Sequence, residues 1–187
     1  MAVNKIILVV FGISGVGKST SISHFIQKKT NWTHIQAGSL IKSFKGDVPY
    51  DELRITSKEK ILDNQKKMVH AFWRNIENVQ TPGIIFDGHS VIYNDSEIIK
   101  IPFEIIAELK PNKIIFMSGS AEQILERRSK DFRKRPLLDL QEISCQQKVS
   151  KGQAIDIASK LSIPYAEVCN EDELFQEISR IETSDMI

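Results

Sequence analysis

Ile6-Ile7-Leu8-Val9-Val10-Phe11-Gly12-Ile13-Ser14-Gly15-Val16-Gly17-Lys18-Ser19-Thr20 is the stretch on which the fold turns. Its first six residues are a continuous apolar run rich in β-branched side chains, the pattern of a strand covered on both sheet faces. The next eight, Gly12 to Ser19, follow G-x-x-x-x-G-K-[ST]. A helical pattern whose apolar face includes Ile22, Phe25 and Ile26 comes directly after. Strand, glycine-rich turn and helix in that order form a phosphate-binding loop. Glycines permit backbone conformations closed to other residues and expose N–H groups to phosphate oxygens. The helix N-terminus adds partial positive charge. Gly12, Ser14, Gly15, Val16, Gly17, Lys18, Ser19 and Thr20 are therefore the expected nucleotide-binding set. Lys18 is expected at the β- and γ-phosphates, the Ser19 hydroxyl on Mg2+, and Thr20 near the α-phosphate.

Outward from this stretch, four more short apolar runs read as strands: His34–Gln36, Ile84–Phe86, Lys113–Met117 and Tyr165–Val168. Helical patterns lie between them. Thr56 with Glu59 forms a capping box opening a helix to about Val79. Pro102 suits a first helical position, and Pro111 stops that helix after Leu109-Lys110. Ser120 with Gln123 opens another helix through about Asp131. Asp139 with Glu142 opens a long one towards Leu161, weakened by Gly152 in its interior. A last helix starts near Asn170, where Glu171, Asp172 and Glu173 suit the positive helix end. Strands and helices alternating in this way predict an α/β domain with a parallel sheet and helices on both faces. The length of 187 residues predicts one domain, 1–187.

Composition narrows the partners. Lys and Arg total 25 against 24 for Asp and Glu, a net charge of +1, which excludes a whole-surface attraction to nucleic acid or anionic membrane. The run Ile6–Phe11 is too short to span a bilayer. Two cysteines, Cys145 and Cys169, cannot form a disulfide framework or a four-cysteine zinc site, and are expected as buried, inert thiols in a reduced, cytoplasmic protein.

Two further groups carry chemistry. Asp87 ends the run Gly83-Ile84-Ile85-Phe86-Asp87, at the carboxyl edge of a central strand, where a second acidic group would hold Mg2+ or its waters. Taken alone, such an Asp also serves as a turn or helix cap. His89, two residues on, is expected beside the phosphates, orienting a water or a substrate group. Arg127, Arg128, Lys130, Arg133, Lys134 and Arg135 place six cations in nine residues. Such a cluster is either a solvated helix end or, beside a phosphate loop, a clamp for the charge that spreads over a transferring phosphoryl group. Phe132 is the only aromatic within it, which disfavours a single-strand nucleic-acid platform.

Gly12–Thr20, Asp87-Gly88-His89, Leu109-Lys110-Pro111, Ile124-Leu125-Glu126-Arg127-Arg128 and the following Asp131 to Arg135 together resemble the archaeal-type adenylate kinases, over roughly Ile6 to Ile181. The small nuclear adenylate kinases share part of the pattern. The resemblance implies a three-layer P-loop nucleoside-monophosphate kinase with a five-stranded parallel sheet, a small NMP-binding insertion at about 37–57 and a short lid at about 129–138. It implies ATP and Mg2+ as cofactors and a small-molecule nucleotide acceptor, most naturally AMP, giving two ADP. Gly38 and Ser39 would line the acceptor base pocket with Leu40 and Ile41 nearby, and Arg54 would clamp the acceptor phosphate. Arg128, Arg133 and Arg135 would be the catalytic arginines alongside Lys18, with Arg127 joining them or holding Asp131. Three departures bear on the acceptor. Ser14 stands where the pattern has proline. The stretch Tyr93 to Pro102 lacks the expected glycines. Ser90 and Val91 stand where bacterial-type adenylate kinases carry Pro-Arg. Alternative readings are a kinase for another small molecule or a nucleic-acid end, and an ATP-dependent assembly or regulatory NTPase.

Overall fold

The structure, a computed structural model, describes residues 5–45, 57–94, 97–130 and 138–184. In chain order the elements are β1 (Ile6–Phe11), α1 (Lys18–Lys28), β2 (Trp32–Gln36), α2 (Ala37–Lys45), α3 (Lys58–Ile76), β3 (Gly83–Asp87), β4 (Val91–Tyr93), β5 (Ile98–Lys100), α4 (Phe103–Ala107), β6 (Lys113–Met117), α5 (Ala121–Ser129), α6 (Leu140–Leu161), β7 (Tyr165–Val168) and α7 (Glu171–Ser184). Five parallel strands pair in the order β2-β3-β1-β6-β7. The expected α/β class and five-stranded parallel sheet are borne out.

The apolar strands are buried from both sides because their alternate side chains feed two cores. On one face Val9, Phe11, Ile84, Phe86 and Phe116 pack against Met68 and Phe72 of α3 and Ile157 of α6. On the other, Leu8, Val10, Ile85 and Ile115 pack against Ile22 and Phe25 of α1 and Leu174 and Ile178 of α7. Each such side chain contributes about 2 kcal/mol on burial, more than a typical helix cap or surface pair. The sheet is thereby the rigid element, and its carboxyl edge is a stable platform. The register aligns Val10 and Gln36 with Asp87 on either side, so the ends of β1, β2 and β3 form one rim.

Local signals hold where they are short-range. The Ser120 hydroxyl accepts from the Gln123 N–H at the start of α5. Asp139 and Glu142 cap α6 reciprocally at 2.7 and 2.8 Å. Gly152 sits inside α6 with open space where a Cβ would be. Three expectations need correction. The N-cap of α3 is Ser57, and the helix ends at Ile76 rather than Val79; Thr56 lies outside the described residues. Pro102 is the N-cap of α4 with extended backbone, not its first helical residue. The stretch after His89 folds into an antiparallel hairpin, β4 on β5, with Ile92 opposite Ile99. Its strands are three residues each, too short for periodicity to register. The turn signal was Asn94, whose Oδ1 accepts from the Glu97 N–H at 2.9 Å.

Candidate functional site

Gly12 leaves β1 so close to β6 that a Cβ there would lie 2.5 Å from the Met117 carbonyl, so only glycine lets the chain pass. The loop closes at Gly17, whose φ of 106° is left-handed and which serves as N-cap of α1 without any side-chain cap. No acidic residue occupies the first turn of α1. The helix end therefore has neither a side-chain cap nor an acidic residue in its own first turn, and its N–H groups point to where an anion belongs. The buried Lys18 ammonium donates to the Gly12 carbonyl at 2.9 Å and the Ile13 carbonyl at 3.3 Å, so the loop wraps its own cation.

Ser19, one residue on, donates through Oγ to Asp87 Oδ2 at 2.5 Å. Burial pushes the Asp87 carboxyl up, but a hydrogen bond from His34, the Lys18 charge, the Ser19 hydroxyl and His89 outweigh it and hold the pKa down at about 2. An alcohol and a carboxylate held ionised are hard oxygen donors, and both stand beside the uncapped helix end. This pair fits Mg2+, which favours one or two protein oxygens supplemented by substrate phosphates. Among the described residues no cluster of three or more His, Cys, Asp or Glu side chains offers a rival metal site.

The exposed His89 meets the loop: its Nδ1 lies 2.8 Å from the Gly12 carbonyl. A carbonyl only accepts, so Nδ1 carries the proton in this contact. Arg127 and Arg128, in the last turn of α5, reach back to the same loop. Arg127 Nη1 donates to the Val16 carbonyl at 2.6 Å, and Arg128 Nε donates to the Ser14 carbonyl at 2.8 Å. Arg128 Nη2 also donates to Gln146 Oε1 of α6 at 3.2 Å. Two guanidinium groups thus border the cradle, and phosphate oxygens are better partners for them than neutral carbonyls.

Gly15 and Val16 complete the loop, and Thr20 is exposed at its helix end. Gly38 and Ser39 fall in the first turn of α2, directly after the rim residue Gln36, whose Oε1 accepts from the Ser39 hydroxyl at 3.3 Å. Leu40 and Ile41 are buried in the core beneath. Arg54, Arg133 and Arg135, like Asp131, lie outside the described residues. Cys145 and Cys169 are exposed free thiols, contrary to the expectation of burial: Cys145 lies on the outer side of α6 and Cys169 just beyond the end of β7.

Sequence reasoning missed His34. It lies in the middle of β2, and its Nε2 is 3.3 Å from Asp87 Oδ2. Alternation was the available signal, since Trp32, His34 and Gln36 share a face and a polar ring on it needs a buried partner.

Residues 11–144 match the AAA domain family. The chain is also similar to curated proteins named adenylate kinase. The one from Methanopyrus kandleri is 25% identical over 181 residues, covering 93% of this chain and 94% of that protein. That of Methanothermobacter thermautotrophicus is 28% identical over 160 residues, 82% of this chain and 84% of the relative. That of Pyrococcus abyssi is 28% identical over 159 residues, 81% and 80%. The resemblance to archaeal adenylate kinases is borne out over most of the chain.

Proposed function

The chain belongs to the AAA domain family, and on that premise we propose that it is a phosphotransferase of nucleoside-monophosphate kinase type, moving the γ-phosphoryl of ATP to a nucleotide acceptor, AMP first among them, to give two ADP. The observation that carries this reading is the Ser19–Asp87 pair at 2.5 Å beside an uncapped helix N-terminus bordered by Arg127 and Arg128. A surface built only to bind phosphate needs the cradle; the extra cations suit the negative charge that develops during transfer, and the ionised carboxylate suits a metal cation beside it.

In this reading the loop amides and Lys18 hold the donor phosphates, and Ser19 and Asp87 hold Mg2+. The metal supplies charge neutralisation and orientation at the β- and γ-phosphates. Arg128, with Arg133 and Arg135 from a lid at about 129–138, takes up charge on the transferring group. His89 orients a substrate oxygen from its seat on Gly12. The acceptor lies over the rim between β2 and β3, with Gly38, Ser39 and Arg54 in a segment at about 37–57. The chain acts as one kinase domain, and the free thiols of Cys145 and Cys169 support a reduced, cytoplasmic setting. No helix among the described residues is long and apolar enough to cross a membrane.

A coupled ADP-release assay over an acceptor panel tests the reading. Acceptor-dependent ADP formation, greatest with AMP and inhibited by a bisubstrate dinucleotide, is the expected result. Preference for a sugar or a nucleic-acid 5′-hydroxyl, or slow hydrolysis indifferent to any acceptor, overturns it.

A further inference from the structure

His34 has no part in the reading above, yet it is the one imidazole in hydrogen-bond reach of the Asp87 carboxylate among the described residues. We infer that His34 is a positioning residue: its Nε2–H fixes the Asp87 carboxylate in the orientation in which Asp87 and Ser19 take the metal of the bound nucleotide. The inference rests on the reading of that pair as the metal site.

The strand geometry places it. Alternation puts His34 and Gln36 on one face of β2, and the register sets Gln36 beside Asp87 and His34 beside Ile85, so His34 reaches Asp87 diagonally. The His34 side chain is 12% exposed and that of Asp87 7%. A carboxylate only accepts, so Nε2 carries the proton and the neutral ring suffices. The other nearby imidazole does not duplicate the role, because His89 Nδ1 is engaged by the Gly12 carbonyl.

Two donors converge on Asp87 Oδ2, and they differ in kind. The terminal torsion of an aspartate is broad, so one hydrogen bond leaves the carboxylate free to swing. Ser19 belongs to the phosphate loop, and its oxygen would itself be a ligand of the metal. His34 comes from the sheet, whose strands are clamped by two cores, and its N–H has no other task in metal binding. Its aim is set by the sheet and not by the phosphate loop. A lone histidine on a strand is more often a satisfied core residue, and a purely structural role would move stability while leaving metal affinity alone.

Three variants separate the two: His34→Met, of similar volume without a donor, His34→Gln, which restores an amide N–H, and Asp87→Asn as reference. Mn2+ binding to the full chain with a non-hydrolysable ATP analogue is read by electron paramagnetic resonance, and analogue affinity is read separately in EDTA. The expected result is a loss of Mn2+ affinity of about tenfold in His34→Met, as for removal of a partner that orients a metal ligand. Substantial recovery in His34→Gln and unchanged analogue affinity without metal complete the expected pattern. Wild-type Mn2+ affinity in His34→Met, or equal losses in the Met and Gln variants, overturns the inference. Wild-type affinity in Asp87→Asn also overturns it, together with the metal site. Absence of acceptor-dependent transfer in the wild type, with the Mn2+ pattern intact, removes the kinase reading and leaves His34 in its role.

Discussion

Two segments leave the carboxyl ends of neighbouring central strands, β1 and β3, and are held in opposite ways. Gly12–Gly17 is shaped mainly by its own backbone: Gly12 threads past β6, Gly17 turns left-handed, and the Lys18 ammonium ties Gly12 and Ile13 from within. The described residues between Gly88 and Ile101 are held from outside, by α6. The Ser90 hydroxyl donates to the Ser150 carbonyl at 2.7 Å, the Tyr93 hydroxyl to the Gln146 carbonyl at 2.7 Å, and the Gln153 amide to the Ile101 carbonyl at 2.8 Å. The same turn of α6 accepts from Arg128 through the Gln146 side chain. A donor cradle made of backbone is written in a few adjacent residues. A segment aimed by a distant helix depends on partners more than fifty positions away.

This contrast can be broken at either end. The largest expected effect is on the self-contained side: Lys18→Ala lowers kcat by about 10³-fold, the loss typical of removing one preorganised charge from a transferring group. The variant should remain folded, and a coupled ADP assay with a melting curve checks both. Gly12→Ala comes next, because the new Cβ meets the Met117 carbonyl at 2.5 Å and neither backbone can yield. Urea unfolding should show a loss of about 3 kcal/mol, in the range of overpacked sites.

A smaller effect is carried by pH. The folded Asp87 carboxyl titrates at about 2 against an ordinary 3.8. A depressed carboxylate stabilises the fold above its unfolded pKa and loses that contribution as pH falls through the folded one. Roughly 2 kcal/mol should therefore disappear between about pH 4 and pH 2. Asp87→Asn should lack this part of the acid-unfolding slope in urea titrations, and an unchanged slope would refute the assignment. The smallest effect lies on the side braced from outside. Tyr93→Phe removes the hydrogen bond to the Gln146 carbonyl and the 3.3 Å contact with the Ser150 hydroxyl, both on α6, and should cost about 1 kcal/mol in urea. The ATP affinity, set by the other segment, should not change in an equilibrium titration. A matching drop in ATP affinity would mean that the two segments are not independently held.

Legibility follows the same division. The run Ile6–Phe11, the loop to Thr20 and the caps at Ser120 and Asp139 were readable because each is specified by residues within a turn or two of one another. Asp87 was readable from its place at the end of an apolar run. The β4–β5 hairpin was not, since three-residue strands carry too little alternation and owe their place to Ser150, Gln146 and Gln153. His34 was hidden for a related reason. Its meaning depends on which residue stands across the sheet, and register is a property of paired strands. The exposed thiols of Cys145 and Cys169 depended on which side of their elements faces solvent.

By itself, then, the sequence determined the class of fold and the existence of a phosphate cradle, because hydrophobic period, glycine conformation and helix capping are local matters. Tertiary structure alone decided that Ser19 and Asp87 meet at 2.5 Å, that His34 stands behind them, and that α6 grips both Arg128 and the hairpin. Those contacts join residues brought together by strand order and helix packing, and no spacing along the chain encodes them.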